Sequence, residues 1–591
     1  MLKKTLVPLR RHFRHRRWLA DTPAMLFWAA IMGVLGAGAV IFFHEGIYLI
    51  QWVATGQSGS IVTVTSSLPP WLRVLFPTVG GALAGVFLWF ALRSKKGASA
   101  DYMEAVVIGD GRMSVRQAVL RSLSSLFTVS SGGSIGREGA MVLISSLVAS
   151  LFGRVIKIAT SRLRLLVACG AAAGVSAAYG APLAGTIFVA EIILGSMQIQ
   201  TLGPLLIAAA SANLTMRMTG YYQAPYEMFG LEAVSSGLDM VVFVFLGAII
   251  GVVAPGFLQL MSATKSYLAR TGLPLIARLT LGGFILGLLL LLVPEVAGNG
   301  YSVVSSLLHD HWSWYAIVGM LLAKVFATVI TVGSGAIGGV FTPALFVGAA
   351  FGALFASLVH ALVPGLEVSP VMYTLVGMGA FLGAATSAPL MAILMIFEMT
   401  LNYQLVLPLI MSSVIAYFVS RTLAEVAMYD VVLVRERDEL LRHTLRYTRI
   451  NQLIKPAETV LPMTASVREA IQMFLDYPVR YVYIVDEDNV YQGVIDQQSL
   501  TRLLIQHPEA QDEPLGEHMK IDAIDPLTSS MSLDEAQGLF VNFNGERLPV
   551  VNNPNQKRLL GVVYKSALLE RYSVLKRTLD ASSEALLHFR R

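Results

Sequence analysis

The chain carries one broken apolar pattern twice, and that repetition limits its fold more than any other feature. GSIGREGA at 133–140 returns as GAIGGVFT at 335–342, with Gly133, Ile135 and Gly136 meeting Gly335, Ile337 and Gly338 at an offset of 202. Further on, Gly170, Ala177, Ala178, Ala181-Pro182-Leu183 and Glu191 meet Gly377, Ala384, Ala385, Ala388-Pro389-Leu390 and Glu398 at an offset of 207. Two collinear matches of uncommon residues at nearly one spacing read as an internal duplication. Both copies lie in apolar stretches cut by Gly, Ser and Pro, as at 131–147, 169–191 and 331–352. Irregular backbone at membrane depth is tolerated where protein buries it or a wet cavity meets it. Paired breaks in corresponding halves point to a transporter's substrate site near the midplane. Close packing of helices through Gly and Ala is the competing reading. It explains the small residues but explains the repeated Glu and Pro less well.

Composition places these segments in lipid. The 591 residues are 55 % hydrophobic and 14 % charged, against about 25 % charged in ordinary globular chains. Apolar runs extend from Pro23 to about Tyr429, and soluble-like polarity returns from Asp430. A basic cluster of Lys3, Lys4, Arg10, Arg11, Arg14, Arg16 and Arg17 stands before the first apolar run, Met25 to Tyr48. Beside a span, such a cluster sets the N-terminus in the cytoplasm by the positive-inside rule, in preference to a nucleic-acid-binding arm. That run is long and has no A-x-A-like cleavage site, so it reads as a retained span rather than a signal peptide. The single cysteine, Cys169, excludes an intramolecular disulfide and a Cys-rich metal site. No H-E-x-x-H, Walker A or G-x-S-x-G motif is present, so the expectation is a protein that is not an enzyme and holds no metal.

The expected fold is a polytopic α-helical membrane protein with an inverted internal repeat of discontinuous helices, followed by a small α+β pair. The expected boundaries are a cytoplasmic segment 1–24, a transmembrane domain 25–429 with repeats about 25–220 and 235–429, and a linker 430–450. Two soluble domains, 451–507 and 517–575, and a tail 576–591 complete the chain. The soluble pair is itself a duplication: SVREAIQMF (466–474) resembles SLDEAQGLF (532–540), and each precedes two β-rich runs around a polar turn. Each unit reads helix, strand, turn, strand, helix.

Anion transport through lipid needs positive potential without a tightly pairing full charge. Helix N-termini supply it, with free N–H groups and about half a positive charge each. GREG (136–139) and GGVF (338–341) both set Gly-rich backbone directly before an apolar helix. Glu138, beside Arg137, is an ionisable residue within a membrane segment and so a functional candidate. The bland alternative is an Arg137–Glu138 ion pair closing a helix end. On the functional reading, the ionised carboxylate competes with an anion for the site and vacates it on protonation, making Glu138 a gate, a proton carrier or both.

GREGA (136–140), GGVFTP (338–343), APLAG (181–185) and the stretch from NYQLVLP (402–408) to Tyr429 together resemble the CLC chloride channel and transporter family, over roughly residues 25 to 430. ADYMEA (100–105) is similar in particular to the bacterial ClcB-type subgroup. The resemblance implies a homodimer with a separate pore in each subunit, in a bacterial inner membrane with both termini cytoplasmic. It implies chloride, or a similar anion, held by backbone N–H groups of Val340 and Phe341, the Tyr429 phenol and a serine hydroxyl. Glu138 would be the outer gate, framed by Gly136, Arg137, Gly139, Gly338, Gly339 and Pro343. For Tyr429 the alternative is a tyrosine of the interfacial belt. The C-terminal duplication resembles a cystathionine-β-synthase (CBS) domain pair. Such pairs often bind adenine nucleotides through an aspartate on the ribose, but Ser499 and Ala567 stand at the corresponding places, so dimer stabilisation or gating is expected instead.

Three departures from the family pattern matter. The motif G-S-G-I-P appears as GASAD (97–101), which displaces the serine and leaves Ser99 as the candidate ligand. Ala140 replaces a proline at a helix start, where proline is favourable but not required. The internal glutamate of proton-coupled members falls at Ile192, one residue after Glu191. In a regular helix neighbouring residues point about 100° apart, so Glu191 does not substitute. Glu191 and Glu398 are expected to cap helix ends or to pair with groups such as Arg137 or Lys324. The sequence therefore reads first as a voltage-gated-type chloride channel gated at Glu138, with chloride/proton antiport as the alternative. A membrane-anchored CBS signalling or scaffold protein without flux is the reading from another class.

Overall fold

The protein is described by a computed structural model covering residues 6–93, 99–107, 109–222, 226, 237–363, 369–424, 428–429, 445, 448–521, 523–541, 543–575 and 577, with backbone alone for 6–22 and 237–239. The side chains of the N-terminal basic cluster, Gly97 and Ala98 of GASAD, Asp430 with most of 430–450, and 576–591 apart from Arg577 lie outside the described residues. The chain divides into two compact units, Met1–Leu433 and Val434–Arg591.

The helices of the first unit run α1 (Leu6–Thr55), α2 (Ile61–Ser67), α3 (Pro70–Leu92), α4 (Tyr102–Val107), α5 (Val115–Ser130), α6 (Glu138–Val155), α7 (Thr160–Tyr179), α8 (Pro182–Phe188) and α9 (Ile199–Met218). They continue as α10 (Gly237–Arg270), α11 (Leu275–Leu292), α12 (Tyr301–His309), α13 (Trp314–Gly333), α14 (Phe341–Leu362), α15 (Pro370–Thr386), α16 (Pro389–Thr400) and α17 (Val406–Leu423). Among the described residues, ten helical stretches are long and apolar enough to cross a membrane, while Pro182–Leu194, Pro370–Thr386 and Pro389–Thr400 are apolar but shorter.

The duplicated sequence breaks its helices in duplicate. Helix α7 ends at Gly180 and α15 at Ser387, both left-handed, with φ of 68° and 58°. Glycine takes that conformation freely, whereas serine holds it only under local constraint. Pro182 and Pro389 then open α8 and α16 at the first helical position, where the missing N–H costs nothing.

The two halves meet by a two-fold rule. A Cβ on Gly81 would strike the Leu279 carbonyl, and one on Gly283 would strike that of Pro77; likewise Gly85 lies against Ile276 and Gly287 against Val74. At the 202 offset these contacts exchange partners, as an isologous interface does. Moving up α3 means moving down α11, so the helices cross antiparallel and the repeat is inverted. Close packing through glycine, offered above as a competitor to the duplication, is thus one of its consequences.

The second unit holds two copies of one small sheet: β1 (Val460–Pro462), β2 (Tyr481–Val485), β3 (Tyr491–Asp496), then β4 (Leu527–Thr528), β5 (Arg547–Val551), β6 (Leu559–Tyr564). In each copy the first strand pairs parallel to the second and the second antiparallel to the third. The strands β1 and β4 were not anticipated from sequence, being too short to show a period. Ser466 with Glu469 and Ser532 with Glu535 make matching reciprocal side-chain and backbone bonds at the helix starts, the capping box written in SVRE and SLDE.

Candidate functional site

Helices α6 and α14 begin at the two glycine breaks, and the breaks are stapled together. The Gly136 N–H donates to the Gly339 carbonyl at 2.6 Å, and the Gly339 N–H donates back to Gly136 at 2.9 Å. Gly338 and Gly139 complete the crossing: a Cβ on Gly338 would lie 3.0 Å from the Gly136 carbonyl, and one on Gly139 3.2 Å from the Gly339 nitrogen. The residues preceding the two helices, Arg137 and Val340, provide no side-chain cap. Among the described residues the Val340 and Phe341 N–H groups have no protein acceptor. Pro343 has no N–H to leave orphaned. Two uncapped N-termini therefore face one point, each with its share of positive potential.

The carboxyl group of Glu138 lies at that point. Glu138, 4 % exposed, accepts at Oε1 from the Thr342 hydroxyl at 2.6 Å. The Thr342 oxygen is 3.2 Å from the Tyr179 hydroxyl. Oε2 lies over Gly136, where a Cβ would overlap it. Arg137 is within electrostatic reach of the carboxylate but forms no ion pair with it among the described residues. The ion-pair alternative for GREG is thereby set aside. Tyr179, Tyr226, Tyr301 and Tyr429 also lie within electrostatic reach of Glu138. The rings of Tyr226 and Tyr301 are 5.3 Å apart, with both hydroxyls buried and without a partner among the described residues. Lys324, 1 % exposed, donates to the Val296 and Gly298 carbonyls at 2.8 and 2.6 Å. It thereby pins the loop that leads to Tyr301.

Tyr429 is half-buried, its ring edge-on to Phe188 at 5.7 Å. Ser99 is half-buried too; its carbonyl accepts from the Ser114 N–H at 3.0 Å, and its hydroxyl lies beside Gly109. The structure thus gathers Glu138, Gly136, Arg137, Gly139, Gly338, Gly339, Val340, Phe341 and Pro343 at one place, with Tyr429 in reach. The recorded contacts of Ser99 stay on its own segment. Thr342, Tyr179, Tyr226 and Tyr301 went unnoticed in the sequence, although Thr342 is inside GGVFTP and Tyr179 directly precedes GAPLAG.

Ile192 is 1 % exposed in a π-helical turn, Val189–Leu194, that continues α8. The regular 3.6-residue spacing assumed from sequence does not hold there. Glu191 points across the repeat and accepts from the N–H groups of Leu390 at 3.4 Å and Met391 at 2.8 Å. Glu398 accepts from Leu183 at 2.9 Å and Ala184 at 2.8 Å. Each glutamate caps the other repeat's short helix, so capping is what the structure records. In the second unit the Ser499 hydroxyl donates to Asp496 at 2.8 Å, and Lys520 pairs with the same carboxylate at 2.7 Å. Partial burial works against ionisation of Asp496, but the bonds from Lys520 and Ser499 outweigh it and hold the group below the usual carboxylate range.

Comparison with known proteins gives a consistent likeness. Residues 80–421 match the family described as voltage gated chloride channel, and 450–506 and 519–574 match the CBS domain. A chloride channel protein described as ClcB-like from Ralstonia nicotianae is 47 % identical over 424 residues, 71 % of this chain and 98 % of that protein. The voltage-gated ClC-type chloride channel ClcB of Citrobacter koseri is 40 % identical over 408 residues, 68 % of this chain and 97 % of that one. Among solved structures, a slow cyanobacterial Cl⁻/H⁺ antiporter superposes with a TM-score of 0.61 at 23 % identity, over 70 % of this chain and 97 % of its own.

Proposed function

The chain belongs to the voltage-gated chloride channel family, and on that premise we propose that it carries chloride across a bacterial inner membrane along a path closed by Glu138. One observation carries the reading: a buried carboxylate rests on two stapled, uncapped helix N-termini. A mobile anion drawn to the free N–H groups of Val340 and Phe341 would enter the space beside the carboxylate, so the charged carboxylate and chloride exclude each other. In this reading Val340 and Phe341 supply backbone N–H groups, Tyr429 and Ser99 supply hydroxyls, and the glycines keep the backbone close enough to reach the ion. The protein works as a homodimer with one path per subunit, and the CBS pair stabilises the dimer on the cytoplasmic side.

Passive conduction is the first reading of mechanism, because the place of an inner proton-carrying glutamate holds Ile192, buried and apolar, and Glu191 is engaged in capping. Chloride/proton exchange is the second. The Glu138–Thr342–Tyr179 chain of hydrogen bonds favours it by offering the proton on Glu138 a next acceptor, and the cyanobacterial neighbour is named an antiporter. Liposomes monitored by chloride and pH electrodes separate the two: a chloride gradient that drives protons uphill establishes exchange, and chloride flux without it establishes conduction. Absence of any chloride flux would remove both readings in favour of a membrane-anchored scaffold.

Tyr429→Phe is expected to weaken chloride occupancy roughly tenfold, since a hydrogen bond to a charged group contributes about 1.5–3 kcal/mol. Calorimetric titration of the purified protein with chloride measures it. Unchanged affinity would place Tyr429 among belt tyrosines.

A further inference from the structure

We propose that Thr342 and Tyr179 form a latch that holds Glu138 in its closed position and sets the pH at which the path opens. The proposal rests on the reading of Glu138 as the gate. A threonine hydroxyl has one proton to give. With Glu138 ionised, that proton goes to Oε1 at 2.6 Å, so the 3.2 Å contact with Tyr179 requires the phenol to donate to Thr342. Each hydroxyl then polarises the next toward the carboxylate. All three groups are buried, where such a bond is not replaced by water. The partners come from three elements: Glu138 opens α6, Thr342 lies in the first turn of α14 and Tyr179 ends α7. The Tyr179 ring is further fixed against Phe341 at 5.0 Å. The latch therefore ties the gate of one repeat to the helix start of the other.

A donor to a carboxylate favours its charged form. Removing the donor makes the closed, ionised state less favourable, so protonation and opening move to higher pH. The titratable groups facing Glu138 are Arg137 on its own element, Tyr179 on α7, Tyr301 on α12, and Tyr226 and Tyr429 outside the helices. Thr342 does not titrate, so its replacement leaves that set of charges intact.

The test is the pH profile of chloride flux in proteoliposomes for Thr342→Val, Thr342→Ser, Tyr179→Phe and Glu138→Gln. Thr342→Val, close in shape, is expected to move the opening midpoint alkaline by roughly one pH unit. Tyr179→Phe should move it less in the same direction, and Thr342→Ser should return it close to the parent. A Thr342→Val profile that overlays the parent, with Glu138→Gln flat, overturns the latch and leaves the gate standing. A Glu138→Gln profile that keeps its pH dependence overturns both. If Thr342→Val does not assemble, Tyr179→Phe decides, and an unmoved midpoint counts against the latch.

Discussion

Glu138→Gln is expected to give chloride flux that no longer varies with pH between about 4.5 and 8, at or above the highest flux of the parent protein. Glutamine keeps the shape of the side chain and an oxygen for the Thr342 hydroxyl, so the packing around Gly136 need not change. It removes the charge that draws the group to the N-termini of α6 and α14, which are uncapped and stapled through Gly136 and Gly339. In the parent, the protonated fraction of a carboxyl falls about tenfold per pH unit above its midpoint, so the variant's excess over the parent should grow as pH rises past that midpoint. Proteoliposome efflux against internal pH gives both curves. Flux fixed at the low alkaline level of the parent would mean that occupancy of the slot, and not charge, closes the path. Retained pH dependence would move the titrating group away from Glu138.

The duplication was readable because uncommon residues recur in order: Gly136 with Gly338, Ala181-Pro182-Leu183 with Ala388-Pro389-Leu390. Its spatial consequence was not. A repeat in sequence states that two halves resemble each other, but only the exchanged contacts of Gly81 with Leu279 and Gly283 with Pro77 display the antiparallel two-fold packing. Glu138 stood out as a carboxylate in an apolar segment, a signal with a large energetic cost behind it. Thr342 sent no comparable signal, since a hydroxyl near a helix start is ordinary in any sequence. Its partner is 204 residues away in the chain, and side-chain bonds between such distant positions have no local pattern. The π-helical turn at Val189–Leu194 was hidden for a similar reason: the apolar run VAEIIL fits a regular helix equally well.

Glu398→Ala should destabilise the membrane unit, and the matched pair of substitutions at Glu398 and Glu191 shows what the inverted repeat requires of its glutamates. Glu398 caps α8 through two short bonds at 2.9 and 2.8 Å, whereas Glu191 caps α16 through one at 2.8 Å and one at 3.4 Å. Ala184 is fully buried, so losing the acceptor leaves its N–H without protein or water. An orphaned buried donor costs about 1–3 kcal/mol, and a lost anion at a helix N-terminus adds about 0.3–1 kcal/mol. Glu398→Ala is thus expected to cost about 1–4 kcal/mol, seen as a lower thermal transition in detergent. Glu398→Gln, which keeps one acceptor oxygen, should recover part of the loss. Helices α8 and α16 pack on each other, so the double alanine variant should depart from the sum of the single effects. A Glu191→Ala protein with an undisturbed melting transition and abolished proton movement would assign Glu191 to transport instead. In that event Ile192 would no longer argue for passive conduction, because the proton would have its inner carboxylate one residue earlier.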